Sequence, residues 1–166
     1  MSIALREWRD ADVDEIVRLT NAFEITRWTR IPSPNTAEHV REWMATWAAE
    51  ETHLCIADPH SDAVIGSIAL MRCDRENARA ELGYWVSAER RRQGVATAAV
   101  EELTARAFAD GWARLELHID PENTASRGVA ERAGYEFEGV LRGYEILKDR
   151  RVDVAMYARL ACAGNG

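Results

Sequence analysis

The sequence is short of the features that mark secreted, metal-knotted, membrane-borne or nucleic-acid-binding chains. Its three cysteines, Cys55, Cys73 and Cys162, are an odd number with no CxxC pair, so neither a disulfide framework nor a zinc site is expected. His39, His53, His60 and His118 are scattered and give no metal-ligand spacing. No stretch approaches the roughly 20 apolar residues of a membrane helix. The N-terminus is charged from Arg6 onward, where a secretory signal would be apolar. A formal charge of −7 has the wrong sign for a general nucleic-acid binder, which needs a basic footprint. Neither GxGxxG nor GxxxxGK(S/T) occurs, which removes the two familiar nucleotide loops. Repeats and linker-like composition are also missing. One domain over 1–166, cytoplasmic and without nucleic-acid or membrane partners, is the expectation.

What is present is ordinary globular composition: 47% hydrophobic and 30% charged over 166 residues, enough to bury a core without staples. Residues 3–8 alternate as a first strand. A helix with Val13, Ile16, Val17 and Leu19 on one stripe follows, capped by Asp10 or Asp12. The stretch 22–35 reads as irregular, broken by Pro32 and Pro34. Thr36 opens a second helix carrying Val40, Trp43, Met44 and Trp47 on one face. Strands are expected at 54–57, 64–71 and 78–86. A helix over 94–110 is closed by Gly111, then a strand at 114–119 and a short helix from Asn123 to Gly134. Strands near 135–147 and 151–160 complete the chain before a frayed tail at 161–166. The pattern implies an α+β (mixed α/β) domain.

The most informative stretch is 81–97, ELGYWVSAERRRQGVAT. A half-buried strand runs into a glycine-bearing turn and then straight into a helix. The first turn of a helix presents unpartnered N–H groups at the positive end of its dipole. Gly94 lets a ligand approach that backbone closely, and Arg90, Arg91 and Arg92 add positive charge. The turn is therefore suited to a phosphate or pyrophosphate. A turn glycine and a solvated arginine run would look the same if the stretch were merely structural.

Arg91-x-x-Gly94-x-Ala96 after ELGYWV resembles the acetyl-CoA pyrophosphate loop, (R/Q)xxGx(G/A), of the GNAT acyltransferases. Asn123-Thr124-Ala125-Ser126, followed by Ala133-Gly134-Tyr135 and Glu138-Gly139, is similar to that family's NxxS…GF..EG segment. Within the family the chain resembles the RimJ/RimL-type branch, which acetylates amines including ribosomal-protein N-termini, and the likeness covers nearly all of it. The resemblance implies a mostly antiparallel, twisted sheet of about seven strands with about four helices, splayed where acetyl-CoA enters. It also implies transfer from acetyl-CoA to a primary amine, either a protein N-terminus or a small molecule. A homodimer is common in this branch. A non-catalytic acyl-CoA-binding module and an enzyme using a larger acyl-CoA are the alternatives.

The resemblance assigns the pyrophosphate to Arg91, Arg92, Gln93, Gly94, Val95, Ala96 and Thr97, and the pantetheine arm to the main chain of Tyr84, Trp85 and Val86. The Val86 N–H is the candidate donor to the acetyl carbonyl. Asn123 is expected as a helix N-cap and, by resemblance, as a cofactor contact. Ser126 matches the hydroxyl near the cofactor sulfur and is the candidate donor to the leaving thiolate. Many relatives carry a tyrosine seven residues after the asparagine; here that position is Ala130. Tyr135 matches a packing position instead. Glu81 is the candidate base and acceptor contact; in a purely structural role it would pair with Arg79 or Arg114. Glu116 and His118 are weaker candidates. Of the rings Phe23, Trp28, Trp43 and Trp47, Trp28 is expected to touch the acceptor, and most of the rest to be core.

Overall fold

The computed structural model describes residues 2–162. Seven strands form one sheet: β1 (Ala4–Glu7), β2 (Thr52–Ala57), β3 (Val64–Asp74), β4 (Arg79–Val86), β5 (Arg114–Ile119), β6 (Glu136–Leu147) and β7 (Arg150–Leu160). Their order is β1-β2-β3-β4-β5-β7-β6. Every pairing is antiparallel except β4 with β5. Five helices, α1 (Val13–Thr20), α2 (Phe23–Thr26), α3 (Ala37–Ala45), α4 (Val95–Ala109) and α5 (Thr124–Arg132), flank it. The sequence pattern led to about four. The additional one, α2, is a single turn inside the stretch expected to be irregular.

The elements follow from their residues. β3 is buried without interruption from Val64 to Leu70, as a strand covered on both faces must be. β5 alternates half-buried and buried residues. Thr36 caps α3, its hydroxyl accepting the His39 N–H at 3.3 Å. The cap expected for α1 is different. Residues Asp10–Asp12 form a 3₁₀ turn, and no side chain caps α1. The Asp12 carboxylate instead accepts the Arg9 N–H and two Arg6 N–H groups at 2.7–2.9 Å. At the far end, the Ala161 N–H donates to the Ala113 carbonyl at 2.9 Å, so the expected tail is anchored at its first residue. Residues 163–166 of that tail lie outside the described residues.

Two apolar cores lie against the sheet. On one face Leu82, Leu115 and Leu117 pack against Val100 and Leu103 of α4 and Ala130 of α5. On the other, Cys55 and Ala57 meet Val13, Ile16 and Leu19 of α1 and Val40 of α3. Period-two alternation sends Leu82, Tyr84 and Val86 of β4 to the α4 face and Glu81 and Trp85 to the opposite face. One strand thus feeds both sides of the sheet.

The pairing of β4 with β5 covers Arg79↔Arg114, Ala80↔Leu115 and Glu81↔Glu116 only, although β4 continues to Val86 and β5 to Ile119. Past Glu81 the two strands part. The Ser87 N–H donates to the Ile65 carbonyl at 2.9 Å. Antiparallel alternation then gives the main chain of Trp85 and Gly83 to β3 and turns that of Tyr84 and Val86 toward the gap.

Close backbone approach holds β3 against β4 beside this gap. A Cβ at Gly66 would lie 2.5 Å from the Trp85 carbonyl oxygen. Gly66→Ala is therefore expected to lower stability by about 1–3 kcal/mol, read as a lower urea midpoint at unchanged slope; an unmoved midpoint would show that the backbone yields freely there.

Candidate active site

A cleft of about 980 Å³ lies at the gap and is lined by residues from both faces of the sheet. On one side it is bounded by the turn into α4. Gly94 adopts φ +78°, ψ 0°, a left-handed conformation that suits glycine, and no side chain caps the helix. Val95, Ala96 and Thr97, the first residues of α4, line the cleft beside Gly94. Their N–H groups belong to the uncapped first turn.

The arginines divide their tasks. Arg90 is paired with Asp58, so it is not the free charge expected of it. Arg91 lines the cleft while its Nε donates to the Val86 carbonyl at 3.3 Å. Arg92 also lines it and is exposed. Gln93 does not line the cleft; its side chain turns back to donate to the Glu89 carbonyl at 2.9 Å. Any part it plays falls to its backbone.

Across the gap stands the N-terminus of α5. The Asn123 carbonyl oxygen Oδ1 accepts the Ser126 N–H at 3.1 Å, which makes Asn123 the expected cap and holds Ser126 in the first turn. The Ser126 hydroxyl is 2.8 Å from the Tyr84 hydroxyl. Burial pushes the Tyr84 phenol up to about 12, against the lowering effect of its hydrogen bond with Ser126. Reading β4 as a main-chain partner left the Tyr84 side chain without a role, and no sequence spacing ties it to Ser126. Ala130 is fully buried. Tyr135 is buried and bonds Thr104 at 2.7 Å, a packing role as expected.

On the opposite face Glu81 sits in a cluster of charges. Its Oε2 lies 2.9 Å from Arg72 Nη1 and 3.1 Å from His118 Nδ1. Neither contact is aligned as a hydrogen bond, which leaves this buried oxygen unsatisfied. Arg72 also donates to Glu145 Oε1 at 2.7 Å, and Arg30 donates to Glu145 Oε2 at 2.7 Å. His118 contacts Glu145 at 3.3 Å and Glu116 at 3.2 Å. Glu81 is not paired with Arg79 or Arg114, the partners considered from sequence. Arg79 bonds Asp74, and Arg114 holds Glu116 and Glu138. Arg72, Arg30 and Glu145 were not singled out in the sequence.

The physical effects on titration are opposed within this cluster. Burial raises the Glu81 carboxyl above the ordinary range, with His118 and Arg72 pulling the other way. The hydrogen bond from His118 is the largest cause that brings Glu145 down to about 2. Burial would lower His118, but Glu145, Glu81 and Glu116 together raise it. Glu81, His118 and Glu145 could by position hold a metal ion. The Arg72 guanidinium, however, already stands as the cation between the two carboxylates.

The aromatic wall is divided too. Trp28 lines the cleft, with the Arg27 guanidinium 4.3 Å from its ring. Phe23 is 69% exposed, so it is neither core nor wall. Trp43 lines the cleft and meets Trp8 and Trp47 edge-on, while Trp47 stacks on His53 at 4.6 Å.

Comparison with known proteins fits this geometry. The family profile described as "Acetyltransferase (GNAT) domain" matches residues 2–136. The chain is 34% identical over 100 residues to the ribosomal-protein-serine acetyltransferase of Escherichia coli K12, covering 60% of this chain and 56% of the relative. It is 28% identical over 164 residues to the N-acetyltransferase p20 of Bacillus licheniformis, covering 95% and 92% of the two chains. Among solved structures, Mycobacterium smegmatis RimJ in complex with CoA-disulfide superposes with a TM-score of 0.86 at 23% identity, over 96% of this chain and 82% of that one. Spermidine N-acetyltransferase from Vibrio cholerae, in complex with CoA and spermine, superposes with a TM-score of 0.82 at 20% identity and 95% coverage of both.

A side chain at Gly94 would strain a positive φ and stand where an anion would approach the α4 N-terminus. Gly94→Leu is expected to weaken acetyl-CoA binding by at least about 100-fold in calorimetry, a loss of about 2.7 kcal/mol. Wild-type affinity in this variant would remove the loop assignment.

Proposed function

This chain belongs to the GNAT acetyltransferase family and is an acetyl-CoA-dependent N-acetyltransferase; for its acceptor, we propose the single α-amine of a protein or peptide N-terminus. The observation carrying this reading is the charge balance at the acceptor end of the cleft. Glu81 and Glu145, which line the cleft, are each in contact with Arg72, Arg30 or His118, and Glu116 beside them is held by Arg114 and His118. Carboxylates already compensated in this way give little reward to a second or third ammonium on the acceptor. An elongated polycation would have to rely on Glu24, Asp120 and Asp153, which line the cleft without an ion-pair partner among the described residues, and not on the compensated carboxylates around Glu81. A peptide brings one amine, then a backbone and side chains that suit Trp28 and the neighbouring apolar wall. The partial likeness to a ribosomal-protein-serine acetyltransferase supports the same reading.

Within this reaction Glu81 serves as the base. An ammonium has no lone pair, so the amine must lose a proton before its nitrogen attacks the thioester carbonyl. Glu81 accepts it, directly or through a water. The Val86 N–H faces the gap and donates to the oxygen on which charge grows. As the carbon–sulfur bond breaks, Ser126 donates to the departing thiolate. Holding donor and acceptor in line across the gap supplies much of the remaining acceleration. The α4 turn with Arg91 and Arg92 carries the pyrophosphate, and the main chain of 84–86 carries the pantetheine arm.

The acceptor reading is tested by following thiol release with three probes: a heptapeptide with a free N-terminal serine, the same peptide with a blocked N-terminus and an internal lysine, and spermidine. The free-N-terminus peptide is expected to have kcat/KM at least about tenfold above the others, or 1.4 kcal/mol of discrimination. Preference for spermidine would overturn the reading.

The roles of Ser126 and Glu81 make separate predictions. Ser126→Ala is expected to lower kcat by about 10–100-fold, within the range of proton-transfer catalysis, with acetyl-CoA affinity nearly intact. Because burial raises the Glu81 carboxyl, its basic form is reached only above the usual glutamate value of about 4.3. Activity should therefore fall on the acid side of a limb displaced upward from that value. Glu81→Gln should lower kcat and abolish the limb; a variant that keeps the wild-type profile would remove Glu81 as base.

A further inference from the structure

The Tyr84–Ser126 pair has a directionality that the reaction can use. Each hydroxyl has one proton. The Tyr84 side chain is half-buried at the cleft wall, and among the described residues Ser126 Oγ is the hydrogen-bond partner of its hydroxyl, at 2.8 Å. If Ser126 donated to the phenol, the phenolic proton would have no protein acceptor among the described residues. A phenol is also the stronger acid and the weaker acceptor of the two groups. The phenol therefore donates and Ser126 accepts, leaving the Ser126 proton free to point elsewhere. Both residues line the cleft, and Asn123 fixes the Ser126 backbone through its N–H.

We propose that Tyr84 is a positioning residue for thiolate departure, turning the Ser126 proton toward the leaving sulfur and strengthening it as a donor. Tyr84 acts only through Ser126, so this inference rests on the role assigned to Ser126 above. Hydrogen bonds in a chain polarise one another: a phenol donating to Oγ makes the serine O–H a better donor. The sulfur leaves as a thiolate when the carbon–sulfur bond breaks and its electron pair stays on sulfur. A phenol-to-serine-to-sulfur chain stabilises that charge without the Tyr84 hydroxyl contacting the sulfur. Tyr135 with Thr104 forms the same kind of pair at 2.7 Å, but both are buried in the α4 core and neither lines the cleft. It is the internal control, a tyrosine pair with a packing role.

The test needs no acceptor. Coenzyme A and desulfo-CoA are titrated calorimetrically into wild type, Tyr84→Phe, Ser126→Ala and the double variant, from about pH 6.5 to 9.5, spanning the ordinary thiol value near 8.5. The wild-type ratio of CoA to desulfo-CoA affinity is expected to rise about tenfold with pH, one unit of thiol stabilisation. The rise should shrink to about threefold or less in Tyr84→Phe and vanish equally in Ser126→Ala and the double variant. Desulfo-CoA affinity reports whether the cofactor site is intact.

A wild-type rise in Tyr84→Phe would overturn the proposal with Ser126 still in place, as would a further loss from Tyr84→Phe in the Ser126→Ala background. A wild-type rise in Ser126→Ala would remove the role of Ser126 and this inference with it. Should Tyr84→Phe lose desulfo-CoA binding, 3-fluorotyrosine at position 84 replaces it. Its more acidic phenol should steepen the rise, and an unchanged rise would overturn the proposal. Tyr135→Phe should leave the rise as in wild type; a reduced rise there would show that any buried tyrosine hydroxyl has this effect and would equally overturn it.

Discussion

The structure depends on one interruption of hydrogen bonding. β4 has a complete partner in β3, but its other edge is paired with β5 only through Glu81. Unpaired main-chain groups inside a fold are expensive unless something satisfies them. Here the gap opens into a cleft rather than closing into core. A pantetheine arm, which carries amide donors and acceptors, is suited to complete that edge. The position of the α4 turn and of α5 follows, since α4 connects the two strands that border the gap and α5 leaves from the end of one of them, β5.

The alternation of side chains along β4 converts this gap into a two-sided site. Tyr84 faces α5 and the donor side, while Glu81 faces the charge cluster on the other. The proposed base and the proposed thiolate donor would therefore act from opposite faces of one sheet. Arg72 holds the acceptor side together. It neutralises Glu145 and approaches Glu81 without an aligned hydrogen bond. Glu145 is left firmly ionised while Glu81 remains the carboxylate most easily protonated, an asymmetry suited to one anchoring and one proton-accepting group.

Much of this was legible in the sequence where the signal is local. A strand, a glycine at positive φ and a helix start lie within one short segment, and Asn123 caps the helix in which Ser126 sits three residues later. The charge cluster was not legible because Arg72, Glu81, His118 and Glu145 come from four different strands, and no spacing links them. The Tyr84–Ser126 bond is hidden for the same reason: its partners are joined across the gap by tertiary structure. Local reasoning also misplaced Phe23, which sits in a helix too short to turn its ring into the core, and Asp12, whose carboxylate is engaged by Arg6 and the Arg9 N–H.

The alternation of main-chain partners along β4 has a consequence for amide exchange. The Gly83 and Trp85 N–H groups lie in the β3 ladder, whereas those of Tyr84 and Val86 face the gap. In the free protein, β4 should show a two-residue rhythm in which protected and fast-exchanging amides alternate within one well-ordered strand. Mobility is not needed to produce such a pattern, because protection follows the bonding of each amide. A ligand lying along the open edge would erase the rhythm, so that this strand records occupancy of the cleft residue by residue.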